Sequence, residues 1–314
     1  MKKLLISLVF FSLFFNAMAE EEKQEKQRPE RPKPDFADEK YGPHERNVLD
    51  LWKAKSDKPA PLVIYIHGGG FVGGSKDDRR QGIPIPLIQK CLEVGISVAA
   101  INYRLSDVAP YPAQMQDGAR ALQYLRFKAK DFNLDPKRFA STGGSAGGGM
   151  SLWLAFHDDL ADEKAEDPVL RQSTRLTCVL GTITQCSYDL RWIKKNIGGR
   201  AYETPELQKF FRVTPDELLS DKAAKLYEDA SPINYLTKDD PPIRLVYHWD
   251  DEPIENLKDP KNKPGRGIHS KKFGEILKAE MEKLGLSCEL LIGKDKNNFD
   301  EHVKFFVKHL KPQE

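Results

Sequence analysis

Cysteine is scarce in this chain, which has four cysteines among 314 residues. Four are too few for a disulfide framework in a protein of this length, and the C-x-x-C spacing typical of zinc sites is absent. The composition therefore excludes a disulfide-stapled scaffold and does not indicate a cysteine-based metal centre. We expect buried free thiols, although an exported protein could pair some of the four, which are Cys91, Cys178, Cys186 and Cys288.

A strong excess of one charge is also missing. Lys and Arg number 49 and Asp and Glu number 47, which gives a formal net charge of +2. Nucleic-acid-binding domains usually carry a basic excess or a basic stripe, so this balance predicts no nucleic-acid partner. With 39% hydrophobic residues, a chain of this length is able to bury a sizeable core in one domain that has room for an insertion.

Long hydrophobic runs are confined to the N-terminus. A basic start precedes an apolar run over residues 4–15, and the small residues Ala17 and Ala19 follow. This is the pattern of a cleavable secretory signal, and the run is too short to span a bilayer. We therefore predict a signal peptide over residues 1–19, a secreted or periplasmic protein, and no stable membrane anchor after cleavage.

The segment that follows is highly charged. From residue 20 to about residue 35 it contains several prolines and almost no apolar residue. Such a segment cannot bury enough apolar surface to fold. We predict a disordered leader over residues 20–40 and a folded domain over residues 41–314.

Two kinds of apolar pattern alternate through the predicted domain. Continuous runs such as LVIYI (62–66) and SVAAINY (97–103) are typical of buried strands, whereas MQDGARALQYLRFKA has the period of an amphipathic helix. Strands of this kind, separated by helices, indicate a mostly parallel sheet that is covered on both faces. The sequence therefore predicts an α/β fold.

The alternation is interrupted between about residues 184 and 235 by a polar stretch with scattered aromatic residues. It resumes with the strand-like PIRLVYHW (242–249). An insertion at such a place lies above the strand ends, so we predict a cap over any site there. Trp192, Phe210 and Phe211 would then either line a pocket or form a small core within the cap.

A nucleophile motif lies in the middle of the chain. Residues 143–147, GGSAG, match G-x-S-x-G around Ser145, between the strand-like RFAST and the helix-like GGGMSLWLAF. A sharp strand-to-helix turn brings the backbone close on both sides of the serine, so Gly143 and Gly147 have to lack a Cβ. The helix start also presents the N–H of Ala146 where negative charge would develop on a substrate.

A second glycine cluster, HGGGF at residues 67–71, directly follows LVIYI. Its backbone N–H groups are not shielded by side chains and are able to point at the same oxyanion. The overlapping GGFVGGSK has the order Gly-Ser-Lys rather than the Gly-Lys-Ser of a phosphate loop, and no helix pattern begins at once after it, so a phosphate loop is excluded.

With these motifs the chain resembles the hormone-sensitive-lipase-like bacterial esterases of the α/β-hydrolase fold. HGGGF and GGSAGG carry the resemblance, and INYRL, YPAQMQD, LDPKRFA and ASPINYL resemble further landmarks in the same order. The resemblance implies cofactor-free hydrolysis of carboxylic esters through an acyl-enzyme. It implies these roles by position: Ser145 as nucleophile, Gly69, Gly70 and Ala146 as oxyanion donors, and His67 as organiser of its loop.

The catalytic acid of that family follows the strand that PIRLVYHW resembles, and here three acids stand in succession at residues 250–252. The family's spacing puts Glu252 in the acid's position, with Asp251 as the alternative. A glutamate is able to orient and stabilise an imidazolium as an aspartate does. A solvated acidic loop is the competing interpretation.

The base is where the sequence departs from the family, whose histidine follows the last strand. Matching Phe299 to the family's aromatic residue puts Asn297 in the histidine's place, and asparagine cannot accept the serine proton at neutral pH. His302 is the first substitute, His269 is the second, and the absence of a competent base is the third possibility. The basic stretch 255–267 is a further departure, either a solvated loop or a rim of the site.

We therefore expect an exported serine esterase that acts on a small-molecule substrate, namely a short acyl ester or an acylated carbohydrate. The alternative is a catalytically impaired protein of the same fold that binds a ligand in the former active-site pocket. The two possibilities differ only in the base. The sequence leaves the acyl and alcohol specificity and the oligomeric state open.

Overall fold

The computed structural model describes residues 30–293 and 298–311. One sheet of eight strands has the order β1-β2-β4-β3-β5-β6-β7-β8. β2 pairs antiparallel with β1 and β4, and all other neighbours are parallel, which confirms the predicted mostly parallel sheet. The strands are β1 (Phe36–Lys40), β2 (Val48–Trp52), β3 (Ala60–Ile66), β4 (Ser97–Ile101), β5 (Leu134–Gly144), β6 (Cys178–Thr182), β7 (Ile243–Tyr247) and β8 (Cys288–Ile292).

Helices cover both faces of the sheet, because the central strands are apolar on both sides. In β3, Leu62, Ile64 and Ile66 belong to one buried cluster, whereas Val63 and Tyr65 belong to the other. α1 and α9 pack on the Val63 side, and α2, α4 and α8 pack on the Leu62 side. The α-helices in the described residues are α1 (Ile85–Glu93), α2 (Ala113–Phe127), α3 (Ala129–Phe132), α4 (Ala146–Phe156), α5 (Leu190–Asn196), α6 (Pro205–Phe211), α7 (Ala224–Ala230), α8 (Lys272–Lys283) and α9 (Phe299–Leu310).

The sheet register brings the two glycine motifs together. β3 and β5 are adjacent and parallel, and Ile66 at the end of β3 is paired with Gly143 near the end of β5. HGGGF follows β3 and Ser145 follows β5, so both motifs emerge at the same edge of the sheet. A site at this edge is the position that parallel α/β sheets favour.

The folded region begins earlier than the sequence predicted. Residues 36–40, assigned to the disordered leader, form β1, which pairs with β2. FADEK has no apolar period. Strand pairing and ion pairs stabilise it instead, since the buried Lys76 Nζ lies 2.9 Å from carboxylate oxygens of both Asp38 and Asp50. The predicted signal peptide and the first part of the leader lie outside the described residues.

The predicted insertion lies between β6 and β7. It contains α5, α6, α7 and four short 3₁₀ helices. Phe210 is fully buried and stacks on Phe71 with 4.3 Å between ring centroids, while Phe211 contacts Tyr227 edge-on. Phe210 therefore connects the cap to the HGGGF loop, and Phe211 belongs to a small core within the cap. Neither ring lines an open pocket.

All four cysteines are free and buried. Burial raises the pKa of Cys91 to about 12, so its thiol is not a nucleophile at neutral pH. Within residues 30–293 and 298–311, no helix is long and apolar enough to cross a membrane. The same residues contain no group of three or more His, Cys, Asp or Glu side chains suited to a metal ion.

Candidate active site

Ser145 occupies the sharp turn between β5 and α4. Its backbone has φ of 51° and ψ of −122°, a positive-φ conformation that residues with a Cβ rarely adopt. A Cβ on either Gly143 or Gly147 would collide with the carbonyl oxygen of Ile66, because the turn passes directly over the end of β3. The Ser145 N–H donates to Thr182 O at 2.9 Å. The turn therefore has the geometry of a nucleophile elbow, and Ser145 lines a large cavity.

His269 is the histidine that the structure brings to this serine. Ser145 Oγ and His269 Nε2 are 2.8 Å apart, a hydrogen-bond distance. Burial lowers the pKa of His269 below its usual value, and the charges of Asp251 and Glu206 partly offset this effect. The imidazole is therefore mainly neutral at pH 7 and is able to accept a proton.

The segment around His269 is tethered on both sides. Gln185 Nε2, from the loop after β6, donates to Ile268 O at 2.7 Å. Ser270 Oγ donates to Glu252 Oε2 at 3.2 Å. Because the residues before and after it are held, the imidazole of His269 is fixed in front of the elbow. No motif singles out Gln185 in the sequence, apart from its place shortly after a strand that ends near the site.

Asp251, rather than Glu252, faces His269. Asp251 Oδ2 accepts the backbone N–H of His269 at 3.0 Å and lies 3.7 Å from His269 Nδ1. The second distance is too long for a hydrogen bond, although such contacts often tighten when substrate binds. Glu252 turns to Ser270 and to Lys271, whose Nζ is 3.6 Å from Oε1. The expectation that Glu252 is the acid therefore does not fit the geometry, since adjacent side chains on this loop point in different directions.

Arg266 connects Asp251 to the loop that carries His269. Arg266 Nη1 lies 3.2 Å from Asp251 Oδ1, and Arg266 Nε donates to Glu252 O at 3.2 Å. The guanidinium thus contacts one carboxylate oxygen of Asp251 while the His269 main chain contacts the other. These contacts fix the carboxylate in one orientation.

His302, the first choice for the base, lies on α9. It is 5% exposed, lines the same cavity, and contacts the Phe299 ring edge-on with centroids 5.7 Å apart. The hydrogen bond of Ser145 Oγ nevertheless goes to His269. The physical reason is that α9 packs with α1 on the Val63 side of the sheet, and His302 there forms part of the cavity wall. Asn297 lies outside the described residues.

The HGGGF loop lies beside the elbow. Gly69 and Gly70 have φ of 104° and 60°, and both line the cavity together with Ser145 and Ala146. These are the three residues that the resemblance implies as oxyanion donors. The positive φ values turn the loop sharply, a conformation that glycine adopts without steric cost.

His67, for which the resemblance implies an organising role, is buried at the start of the HGGGF loop. Its ring is fully buried, stacks on Tyr103 with centroids 4.2 Å apart, and has Nδ1 2.7 Å from Gly68 O. Desolvation lowers the pKa of His67 to about 4, so the ring is neutral. The Tyr103 hydroxyl donates to His67 O at 2.9 Å. His67 therefore belongs to the support of the loop.

The cavity in front of Ser145 has a volume of about 1230 Å³. The cap contributes Glu206, whose side chain packs against Gly70 and whose Oε2 accepts a hydrogen bond from Thr204 Oγ1 at 2.7 Å. Trp249 is 45% exposed and meets the His269 ring edge-on with 6.0 Å between centroids. The cavity has room for an ester with a bulky alcohol portion. Sequence reasoning did not single out Glu206 or Trp249.

Comparison with known proteins shows that this chain is similar to esterases. Residues 49–259 match the family model described as BD-FAE. Esterase LipQ of Mycobacterium tuberculosis is 28% identical over 218 residues, which are 68% of this chain and 48% of LipQ. Ethyl acetate hydrolase of Pseudomonas putida is 27% identical over 165 residues, which are 52% of this chain and 48% of that protein. The chain spans about half the length of the curated relatives it matches.

Solved structures show the same fold. A truncated carbohydrate esterase from gut microbiota has a TM-score of 0.65 at 20% identity, with 90% of this chain and 99% of that chain covered. An acetyl ester-xyloside bifunctional hydrolase from Caldicellulosiruptor lactoaceticus has a TM-score of 0.62 at 24% identity, with 83% and 86% covered. The α/β-hydrolase fold that the sequence resemblance implied is confirmed.

Proposed function

Since the chain belongs to the BD-FAE family, we propose that it is a serine carboxylic ester hydrolase with Ser145 as nucleophile, His269 as base and Asp251 as acid. The observation that carries this proposal is the 2.8 Å contact between Ser145 Oγ and His269 Nε2 at a nucleophile elbow. A base within hydrogen-bond reach of the serine is the component that the sequence alone left open.

Acylation begins when Ser145 Oγ attacks the ester carbonyl carbon and its proton passes to His269 Nε2. The carbonyl oxygen becomes an oxyanion, for which the N–H groups of Gly69, Gly70 and Ala146 are the proposed donors. Collapse of the tetrahedral intermediate breaks the bond to the leaving oxygen, and His269 returns the proton to that oxygen. The alcohol departs and an acyl-serine remains.

Deacylation repeats these steps with water. His269 takes a proton from the water as it attacks the acyl carbon, and the proton then returns to Ser145 Oγ as the acid product leaves. Asp251 stabilises the imidazolium that forms in each half-reaction and does not itself exchange the proton. Its approach to Nδ1 from 3.7 Å would accompany substrate binding.

The proposed substrates are short acyl esters or acyl groups on carbohydrates, and the protein is proposed to be exported. The volume of the cavity and the exposed Trp249 at its wall support a bulky alcohol portion, because an exposed aromatic ring offers a flat apolar surface. Two of the similar solved structures are a carbohydrate esterase and an acetyl ester-xyloside bifunctional hydrolase. The N-terminal signal pattern supports export.

Hydrolysis of an aryl acetate by the purified protein tests this proposal. Ser145→Ala should abolish turnover above the background rate, because no other group at the elbow is able to form the acyl-enzyme. Ser56→Ala, a change at an exposed serine outside the cavity, serves as the matched control and should retain full activity. Equal rates for the unmodified protein and Ser145→Ala would contradict the proposal and favour a ligand-binding protein of the same fold.

A further inference from the structure

The stretch 255–267, called here the insertion loop, is anchored to the cap. Asn262, in its middle, is 4% exposed and donates from Nδ2 to Asn256 O at 3.2 Å. Arg200 Nη1 donates to Asn262 O at 3.1 Å, and the N–H of Gly265 donates to Arg200 O at 2.9 Å. These contacts with the cap give the loop a defined course at the rim of the active-site cavity.

The anchoring of Asn262 determines where its neighbours face. Lys261 and Lys263 stand on either side of it, are exposed, and line the same cavity as Ser145. Within the part of the chain that the structure describes, neither ammonium group has an ion-pair or hydrogen-bond partner. Asn262 therefore fixes the course of the loop, and the two lysines beside it place their positive charges in the cavity wall.

Other charges in the cavity do not neutralise these lysines. Asp251 is paired with Arg266, whereas Glu206 keeps its negative charge although Oε2 accepts a hydrogen bond from Thr204 Oγ1. Arg80, on the loop between β3 and α1, adds a third cation to the cavity wall; its nearest acid in sequence, Asp78, accepts the Arg80 backbone N–H. Among the residues that the structure describes, four cationic side chains, those of Arg80, Lys261, Lys263 and Arg266, therefore line the cavity with only two carboxylates. This excess of positive charge attracts anionic ligands.

The path of the chain indicates which part of the substrate meets the lysines. The insertion loop leads directly into His269, and His269 protonates the leaving oxygen in the proposed reaction. The leaving alcohol therefore lies on the side of the insertion loop.

We propose that the alcohol portion of the substrate carries a carboxylate or another anionic group that Lys261 and Lys263 bind. An acylated carbohydrate that contains a uronic acid has this chemistry. The inference deepens the proposed esterase function and rests on it for the orientation of the substrate.

The kinetic test compares two acetyl esters of similar size. Meta-acetoxybenzoate carries the anion on the alcohol side, and meta-acetoxybenzamide is its neutral counterpart. We expect the double variant Lys261→Gln/Lys263→Gln to lower kcat/KM for the anionic ester about threefold to tenfold while the neutral ester is unaffected, as two partly exposed cations would provide. Lys258→Gln, at an exposed lysine of the same loop, is the matched control and should change neither rate.

Salt provides a second readout of the same interaction. Added sodium chloride should reduce the advantage of the anionic ester in the unmodified protein, because it screens exposed charges, and should have little effect on the double variant. A ratio of the two kcat/KM values that is the same in both proteins would overturn the proposal. Loss of rate specifically toward para-nitrophenyl hemisuccinate, with para-nitrophenyl butyrate as its neutral counterpart, would place the anion on the acyl side and overturn the assignment made here.

A binding measurement separates this inference from the proposed function. In the Ser145→Ala background, calorimetry should show that meta-acetoxybenzoate binds more weakly when Lys261 and Lys263 are both Gln. Affinity that does not depend on the lysines contradicts the anion site. Absence of ester hydrolysis by the unmodified protein contradicts the proposed function instead, so the two failures give different results.

Discussion

Asp251 Oδ2 accepts the backbone N–H of His269 at 3.0 Å and lies 3.7 Å from Nδ1 of the same residue. One carboxylate oxygen thus fixes the main chain of the proposed base and faces its ring. Both residues lie between β7 and α8, whereas the resembling esterases take their histidine from the loop after the last strand. The proposed base therefore lies at a different place in the sequence while it still contacts the serine of the elbow, since a triad is defined by geometry and not by order.

Substitution of His269 and of His302 should have different effects on activity. His269→Gln should lower kcat for an aryl acetate by about 10²–10⁴-fold, the contribution typical of a general base. His302→Gln should retain most of the activity, because Ser145 Oγ is bonded to His269. The measurement is kcat for both variants, with thermal unfolding to verify that each is folded. A larger loss in His302→Gln would assign the base to α9.

Two neighbouring acids allow a similarly matched experiment. Asp251→Asn should reduce kcat by up to about 10⁴-fold, because the imidazolium loses its counter-charge and the imidazole its orientation. Glu252→Gln should have a far smaller effect, since the glutamine oxygen is still able to accept the hydrogen bond from Ser270 Oγ. Steady-state kinetics of both variants under identical conditions decide between them. Reversed sensitivities would restore Glu252 as the acid.

The lowered pKa of His269 sets the expected pH dependence. The base has to be neutral, and burial lowers its pKa, so activity should persist as the pH falls and decline with a midpoint below about 6.5. Asp251 raises the pKa of His269, so Asp251→Asn should move that midpoint to still lower pH. The profile of kcat/KM against pH reports this group in the free enzyme. A midpoint above the usual histidine value would contradict a base whose pKa is lowered by partial burial.

Two glycines of the HGGGF region differ sharply in their surroundings. A Cβ on Gly70, at φ of 60°, would lie 2.5 Å from Glu206 Cγ, whereas a Cβ on Gly73 would meet nothing within 4 Å. Gly70→Ala should therefore displace the proposed oxyanion loop and lower kcat by about 10²-fold or more, the cost of losing one oxyanion donor. Gly73→Ala should keep its activity within a small factor. Similar kinetics for the two variants would show that Gly70 does not need its present conformation.

The sheet and the elbow could be predicted from sequence because both depend on local patterns. LVIYI and SVAAINY fall on β3 and β4, and the glycines around Ser145 are required by contacts that the turn itself creates. β1 was missed, since FADEK has no apolar period and is held by pairing with β2 and by the buried Lys76. Such long-range pairing leaves no local signal in the segment.

For the catalytic acid and base, the sequence alone predicts short sets of candidate residues but does not choose among them. Asp251 and Glu252 are adjacent, and only the course of the loop shows which carboxylate turns to His269. The position of His269 depends on tertiary contacts, namely Gln185 to Ile268 and Arg266 to Asp251. The spacing rule of the resembling esterases places the histidine after the last strand, whereas here the connection after β7 carries His269 to the elbow.

The insertion loop has a consequence for recognising proteins of this kind from sequence. Because the proposed acid and base lie in one continuous segment, the proposed mechanism does not require a histidine after β8. A survey that demands a histidine near the C-terminus would discard such a chain as inactive. A pattern that instead couples an aspartate to a histidine 18 residues later, across a basic loop, would retain it.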